Sequence, residues 1–148
     1  MLKGKLIHPD ILKVLGRAGH GSQVLIADGN YPFRTKLGPN ATLVNLNLTP
    51  GLLDCVQVLS TLVTAIPVEE AAVMAYATTG PYALKGDPEI WADFRSVLDQ
   101  AGFEQPLKLI DRFDFYDAAG TPDVALTIAT GEQRIYANLL LTIGVVMP

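Results

Sequence analysis

Short apolar runs rich in branched residues alternate along the chain with segments of helical periodicity, and this alternation narrows the choice of fold more than any other feature. Pro9 and Asp10 open a segment in which Ile11, Leu12 and Leu15 recur at helical spacing, so a first helix is expected from Pro9 to about Ala18, with Gly19 as a left-handed C-cap. Val24 to Ala27 reads as a buried strand closed by the Asp28-Gly29-Asn30 turn. Tyr31 to Asn40 is loop, and Thr42, Val44 and Leu46 mark a second extended piece. Thr49 and Pro50 offer a cap and a proline at the first helical position, ahead of a face traced by Leu52, Leu53, Val56, Leu59, Val63 and Ile66 and stopped by Pro67. Ala71 to Ala77 is a third strand. Asp87-Pro88-Glu89 repeats the cap-plus-proline start before Ile90, Trp91, Phe94, Val97 and Leu98, with Gly102 near the helix end. Leu107 to Ile110, Asp123 to Thr130 and Ile135 to Ile143 complete the strands. No repeat, low-complexity tract or linker interrupts the series. Residues 1–148 are therefore expected to form a single α/β domain, a mixed central sheet flanked by helices.

Composition adds two constraints. Apolar residues make up 49% of the chain and the mean hydropathy is +0.29, more apolar surface than a small monomer readily covers, so burial between subunits is expected. The 15 acidic residues outnumber 11 scattered basic ones, giving a net charge of −4, which argues against nucleic acid or an anionic membrane as partner. Cys55 is the single cysteine and falls at an interior position of the second helical pattern, so a reducing, cytoplasmic setting is expected. The N-terminal residues lack an apolar signal-peptide core, and no apolar stretch reaches membrane-spanning length.

No Walker loop, dinucleotide fingerprint, zinc spacing or nucleophile elbow is present. The chemistry therefore has to come from polar residues set into apolar surroundings: His20, Asp28, Arg112, Tyr116, Tyr136 and Asn138. Each also has a purely structural explanation. His20 follows a helix end, where an imidazole can meet the last carbonyls. Asp28 closes a strand before glycine, which turn chemistry explains, although strand ends in α/β sheets are also where ligands sit. Arg112 has Asp111, Asp114 and Asp117 as possible surface partners. Tyr136 and Asn138 are two apart in a strand-like run, so both are expected on one side, and a buried asparagine there needs hydrogen-bond partners. His8 is expected at a helix entry, and Trp91, Phe94 and Phe103 in the core.

Four strings carry a resemblance: L-K-V-L-G-R-A-G-H-G at 12–21, A-D-G-N-Y-P at 27–32, D-R-F-D-F-Y-D at 111–117 and T-G-E-Q-R-I-Y-A-N-L-L-L-T-I-G-V at 130–145. In this order and spacing they resemble the RbsD/FucU family of sugar mutarotases nearly end to end, and the Arg-Phe-x-Phe-Tyr string and Asp-Pro-Glu helix start are closer to its L-fucose branch than to its D-ribose branch. The resemblance implies an enzyme that interconverts anomers of a monosaccharide without cofactor or metal. It also implies a ring-shaped homo-oligomer, typically a decamer. By residue matching, His20 would be the proton donor, Asp28 and Arg112 would bind sugar, and Tyr136, Ala137 and Asn138 would complete the pocket. Independently of that matching, Tyr116 and Tyr31 are aromatic side chains able to pack on the apolar face of a sugar as accessory contacts. Ala137 stands where the fucose branch often has glycine, and Asn30 where some members have histidine; both positions bear on which sugar is recognised.

Ring opening requires a proton delivered to the ring oxygen while another leaves the anomeric hydroxyl, and an imidazole titrates in the range where it can do either. Asp28, Arg112 and Asn138 offer the mixture of donors and acceptors that a polyhydroxylated ligand needs. If Ser22 to Asp28 is extended, His20 and Asp28 are separated by roughly 20 Å or more at about 3.3 Å per residue. The expectation is then a pocket completed across a subunit interface, with the two residues from different subunits. Two other classes of function share these residues, a non-catalytic sugar-binding module linked to transport and a ligand-free oligomeric scaffold.

Overall fold

The computed structural model describes residues 1–148 as one mixed sheet with four helices. The strands are β1 (Gln23–Ala27), β2 (Thr42–Asn45), β3 (Val68–Met74), β4 (Lys108–Ile110), β5 (Val124–Ala129) and β6 (Leu139–Ile143). The helices are α1 (Pro9–Leu15), α2 (Cys55–Leu62), α3 (Glu89–Gln100) and α4 (Arg112–Ala118). Sheet order is β2-β5-β1-β6-β3-β4, and β6 alone runs antiparallel to its neighbours β1 and β3. The carboxyl ends of the other five strands and the start of β6 therefore share one edge. The end of β6 and the starts of β1 and β3 share the opposite edge.

Alternation along each strand divides the interior in two. Val24, Ile26, Leu126, Ile128, Leu139 and Leu141 face the larger cluster of 23 buried residues, which takes in Ile11 of α1, Leu59 and Leu62 of α2, and Trp91 and Phe94 of α3. Leu25, Ala27, Ala72, Met74 and Leu140 face a smaller cluster of 9 with Tyr31, Phe115 and Ala119. One helix covers that second face where three cover the first. Substantial apolar surface remains outside, including Leu48 at 82% exposure, Phe113 at 76% and Leu109 at 57%. No helix is long and apolar enough to cross a membrane.

Several local expectations are corrected. The second helix begins at Cys55, so Cys55 is its first residue and not an interior one: Asp54 is the N-cap, and Asp54 and Gln57 form a reciprocal capping box. Thr49-Pro50-Gly51-Leu52 is instead a tight turn, with Leu52 N–H donating to the Thr49 carbonyl and Gly51 at φ 83°. Helix α1 stops at Leu15 and not Ala18, with Gly16 as its C-cap and Arg17 N–H turning back only three residues to the Val14 carbonyl; the left-handed glycine is Gly21, not Gly19. His8 is the N-cap, its Nδ1 accepting from Ile11 N–H at 3.4 Å.

Pro88 occupies the N-cap position of α3, which has no side-chain cap, and Asp87 pairs with Arg95 at 3.5 Å instead of capping. Strand β3 lies three residues earlier than the pattern Ala71 to Ala77 places it. The last strand starts at Leu139, not Ile135, since Tyr136 has φ 58° and cannot belong to a strand. Helix α4 is an addition. Phe115 and Ala119, four apart, turn inward from it onto the second face of the sheet, while Phe113 stays exposed.

Candidate active site

Asp28 follows β1 at the carboxyl edge, only 3% exposed. Its Oδ2 accepts from Asn138 Nδ2 and its Oδ1 from Asn30 N–H, while its own N–H donates to Asn138 Oδ1, all at 2.9 Å. This satisfies the buried Asn138 amide in the way its apolar setting demands. Burial pushes the Asp28 carboxyl above its ordinary 3.8, against opposing hydrogen bonds from the Asn30 and Ala137 backbone and the Asn138 side chain. The Ala137 side chain lies in the larger core cluster and not in the cleft.

Asp28 and Asn138 form the floor of a cleft of about 420 Å³, bounded by Asn30, Tyr31, Met74, Tyr82, Arg112, Tyr116, Ile135 and Tyr136. The parallel strands explain the convergence: Met74 ends β3, Arg112 begins α4 just beyond β4, and Asn138 precedes β6. A cleft outside the carboxyl ends of strands is the common ligand position in α/β sheets.

Tyr136 does not share a strand face with Asn138 as the spacing predicts. Its left-handed backbone aims the ring into the cleft from a turn, and three contacts hold it there. The hydroxyl donates to the Tyr82 carbonyl at 2.9 Å and accepts from Ala77 N–H at 3.1 Å, and the Tyr136 carbonyl accepts from Trp91 Nε1 at 2.9 Å.

The turn leading to Tyr136 is anchored by buried Glu132. Its carboxylate accepts from the Gln133 and Arg134 N–H groups at 3.0 Å and from the Arg134 guanidinium at 2.8 and 2.9 Å, and from Cys55 N–H at 3.4 Å. Burial alone would raise the Glu132 carboxyl, but these Arg134 bonds hold it below its usual range. Beside it, Gly131 is required by close approach, since a Cβ there would meet the Thr49 carbonyl oxygen at 2.5 Å.

Arg112 does not pair with Asp111, Asp114 or Asp117. The five ion pairs of the chain leave it out, and its guanidinium lies 5.9 Å from the Tyr116 ring and 6.0 Å from the Phe113 ring. A cation at the cleft without a carboxylate partner is available to a ligand.

His20 is not brought to this cleft. It sits at the opposite edge, before Gly21, whose N–H donates to the carbonyl of Ile143 at the end of β6. Nor does it meet the carbonyls of α1, as a helix-end histidine would. Its Nε2 bonds Glu69 Oε2 of β3 at 2.6 Å, with both side chains more than half exposed. Gln23 and Asp28 alone are about 17 Å apart at 3.3 Å per residue, so no monosaccharide can touch both His20 and Asp28 of one chain. The residues that the sequence pattern did not single out are Glu69, Met74, Tyr82 and Ile135. Glu69 carries no local signal, since its contact with His20 spans 49 residues. No cluster of three or more His, Cys, Asp or Glu is placed to hold a metal ion.

Residues 1–146 match the model of the RbsD / FucU transport protein family. The chain is 35% identical to the fucose mutarotase of Danio rerio, over 100% of this chain and 96% of that protein. Among solved structures it resembles the fucose mutarotase of Streptococcus pneumoniae in complex with L-fucose, with TM-score 0.75 and 28% identity over 95% of each chain. It also resembles Bacillus subtilis RbsD complexed with D-ribose, with TM-score 0.74 and 25% identity over 99% of this chain and 100% of that one.

Proposed function

The chain belongs to the RbsD/FucU family, and from that premise we propose that it is a sugar mutarotase that interconverts the anomers of L-fucose by acid/base ring opening and closure. The observation that carries this reading is the floor of the cleft, where the Asp28 carboxylate is fixed by Asn138 between Tyr116, Tyr136 and an unpaired Arg112. Such a set binds a polyhydroxylated ring through both its donors and its acceptors.

Opening the pyranose needs one proton placed on the ring oxygen and one taken from the anomeric hydroxyl; closure on the other face of the carbonyl reverses both transfers. Asp28, with its carboxyl raised by burial, is suited to exchange a proton with the sugar at the cleft floor. The second group is His20, oriented by Glu69 and brought to the cleft by a neighbouring subunit. In this reading the subunits form a ring-shaped homo-oligomer, a decamer, with pockets at their interfaces. The exposed Phe113, Leu109 and Leu48 support it, because they are apolar surface that association would cover. The buried free thiol of Cys55 is consistent with a cytoplasmic location.

Magnetisation transfer between the α and β anomer signals tests the reading without coupling enzymes. The expected result is accelerated exchange of L-fucose, and faster exchange of D-ribose than of L-fucose would replace the substrate. Sugar binding without any acceleration would leave a binding module, and no sugar interaction at all would sink the reading.

A further inference from the structure

Tyr31 is 4% exposed and lines the cleft, yet its hydroxyl finds no hydrogen-bond partner in the protein. Its place is fixed from three sides. The backbone N–H donates to the Asp28 carbonyl at 3.1 Å, and the ring packs against Phe33 at 6.0 Å and Tyr116 at 5.6 Å. The hydroxyl is closed to solvent in this structure, so pairing with a ligand requires a neighbouring side chain of the cleft wall to give way. The other buried hydroxyl in the same condition, Thr127, lies within β5 and does not border the cleft. A buried hydroxyl with no partner is a net cost to the fold, and a phenylalanine would fill the same space without it.

We propose that the Tyr31 hydroxyl is a specificity-determining contact, paired in the complex with a non-anomeric hydroxyl of the bound pyranose. This rests on the functional reading above, and adds to it a group that discriminates among sugars. Burial, together with the nearby Tyr116 phenol and Asp28 carboxylate, pushes the Tyr31 phenol well above its ordinary range, so it stays protonated and offers one donor as well as acceptor capacity. Asp28, already accepting from Asn30 and Asn138, handles the reacting end of the sugar, and Arg112 supplies only donors. Tyr31, like Tyr116 and Asn30 in the same cleft, can match a sugar hydroxyl in either sense, and of the three only Tyr31 has its polar atom buried without a partner. A site built around such a group rejects an analogue lacking the matching hydroxyl, because the phenol is then left unpaired again.

The test is Tyr31→Phe in the full-length protein, read by anomer exchange with L-fucose, with its monodeoxy analogues and with D-ribose, alongside the thermal midpoint without sugar. The expected result is a midpoint equal to or above that of the wild type, and exchange of L-fucose at subsaturating sugar lowered about tenfold through KM. One monodeoxy analogue should be exchanged equally by both proteins, and that analogue identifies the partner hydroxyl. Unchanged exchange of L-fucose in the variant would overturn the proposal alone. So would a uniform loss across every analogue, which reports a general disturbance of the cleft. Absence of exchange by the wild type with every sugar would instead overturn the functional reading beneath it.

Discussion

Asn138 grips Asp28 at two points, its amide donating to the carboxylate and its carbonyl accepting from the Asp28 backbone N–H, each at 2.9 Å. The two residues are 110 apart in sequence, and the pair ties the end of β1 to the start of β6. Asn138→Ala strips a donor from a buried carboxylate and an acceptor from a buried N–H at once. The expected cost is about 1–3 kcal/mol, seen as a lower urea midpoint with unchanged slope, together with slower anomer exchange.

Ionisation of Asp28 should be visible in the pH dependence of stability. Its carboxyl in the fold is raised above 3.8 by burial, so the folded state holds this proton more tightly than the unfolded chain does. The stabilisation linked to that proton is fully present below 3.8 and is lost as pH rises through the folded value. Wild-type stability relative to Asp28→Asn should therefore decline with rising pH across that window and level off above it. Urea midpoints of the two proteins over the acid range check the sign; a relative gain with rising pH would contradict it.

His20 and Glu69 are exposed, so their replacement should spare the fold while removing chemistry. His20→Ala is expected to slow anomer exchange by about a hundredfold or more with sugar binding retained. Glu69→Gln keeps a hydrogen-bond acceptor for the imidazole and should fall between the two. Loss of binding together with exchange in His20→Ala would mean that the histidine holds the sugar and does not merely serve its protons.

What the sequence revealed and what it hid follow a physical division. Strand positions such as Val24 to Ala27 and the buried face of α3 are local patterns, and they appear where the periodicity puts them. Thr49-Pro50 and Asp54 both satisfy the local grammar of a helix start. The choice of Asp54 depends on Gln57 closing the capping box and on Glu132, 77 residues away, accepting from Cys55 N–H. Helix α4 hides because Phe113 and Phe115 alternate with charged residues at a spacing of two, which does not mark a helical face, and its register is set by Phe115 meeting the sheet. Asp28, Arg112, Tyr116, Tyr136 and Asn138 were legible as candidates because polar groups in apolar surroundings need partners, and the fold gathers all five around one cleft. Glu69 was not, because only the alignment of β3 beside the end of β6 brings it to His20. The left-handed turn at Tyr136 was hidden too, since nothing in a tyrosine announces a positive φ.

The placement of His20 and Asp28 on opposite edges of the sheet has a genetic corollary. If each pocket draws one residue from either side of a subunit boundary, two inactive proteins can rescue one another. Co-expressed His20→Ala and Asp28→Asn chains would assemble into mosaics in which about a quarter of the pockets, by random assortment around a head-to-tail ring, receive both intact residues. Activity would then reappear on mixing subunits, and would stay absent if each were reassembled alone.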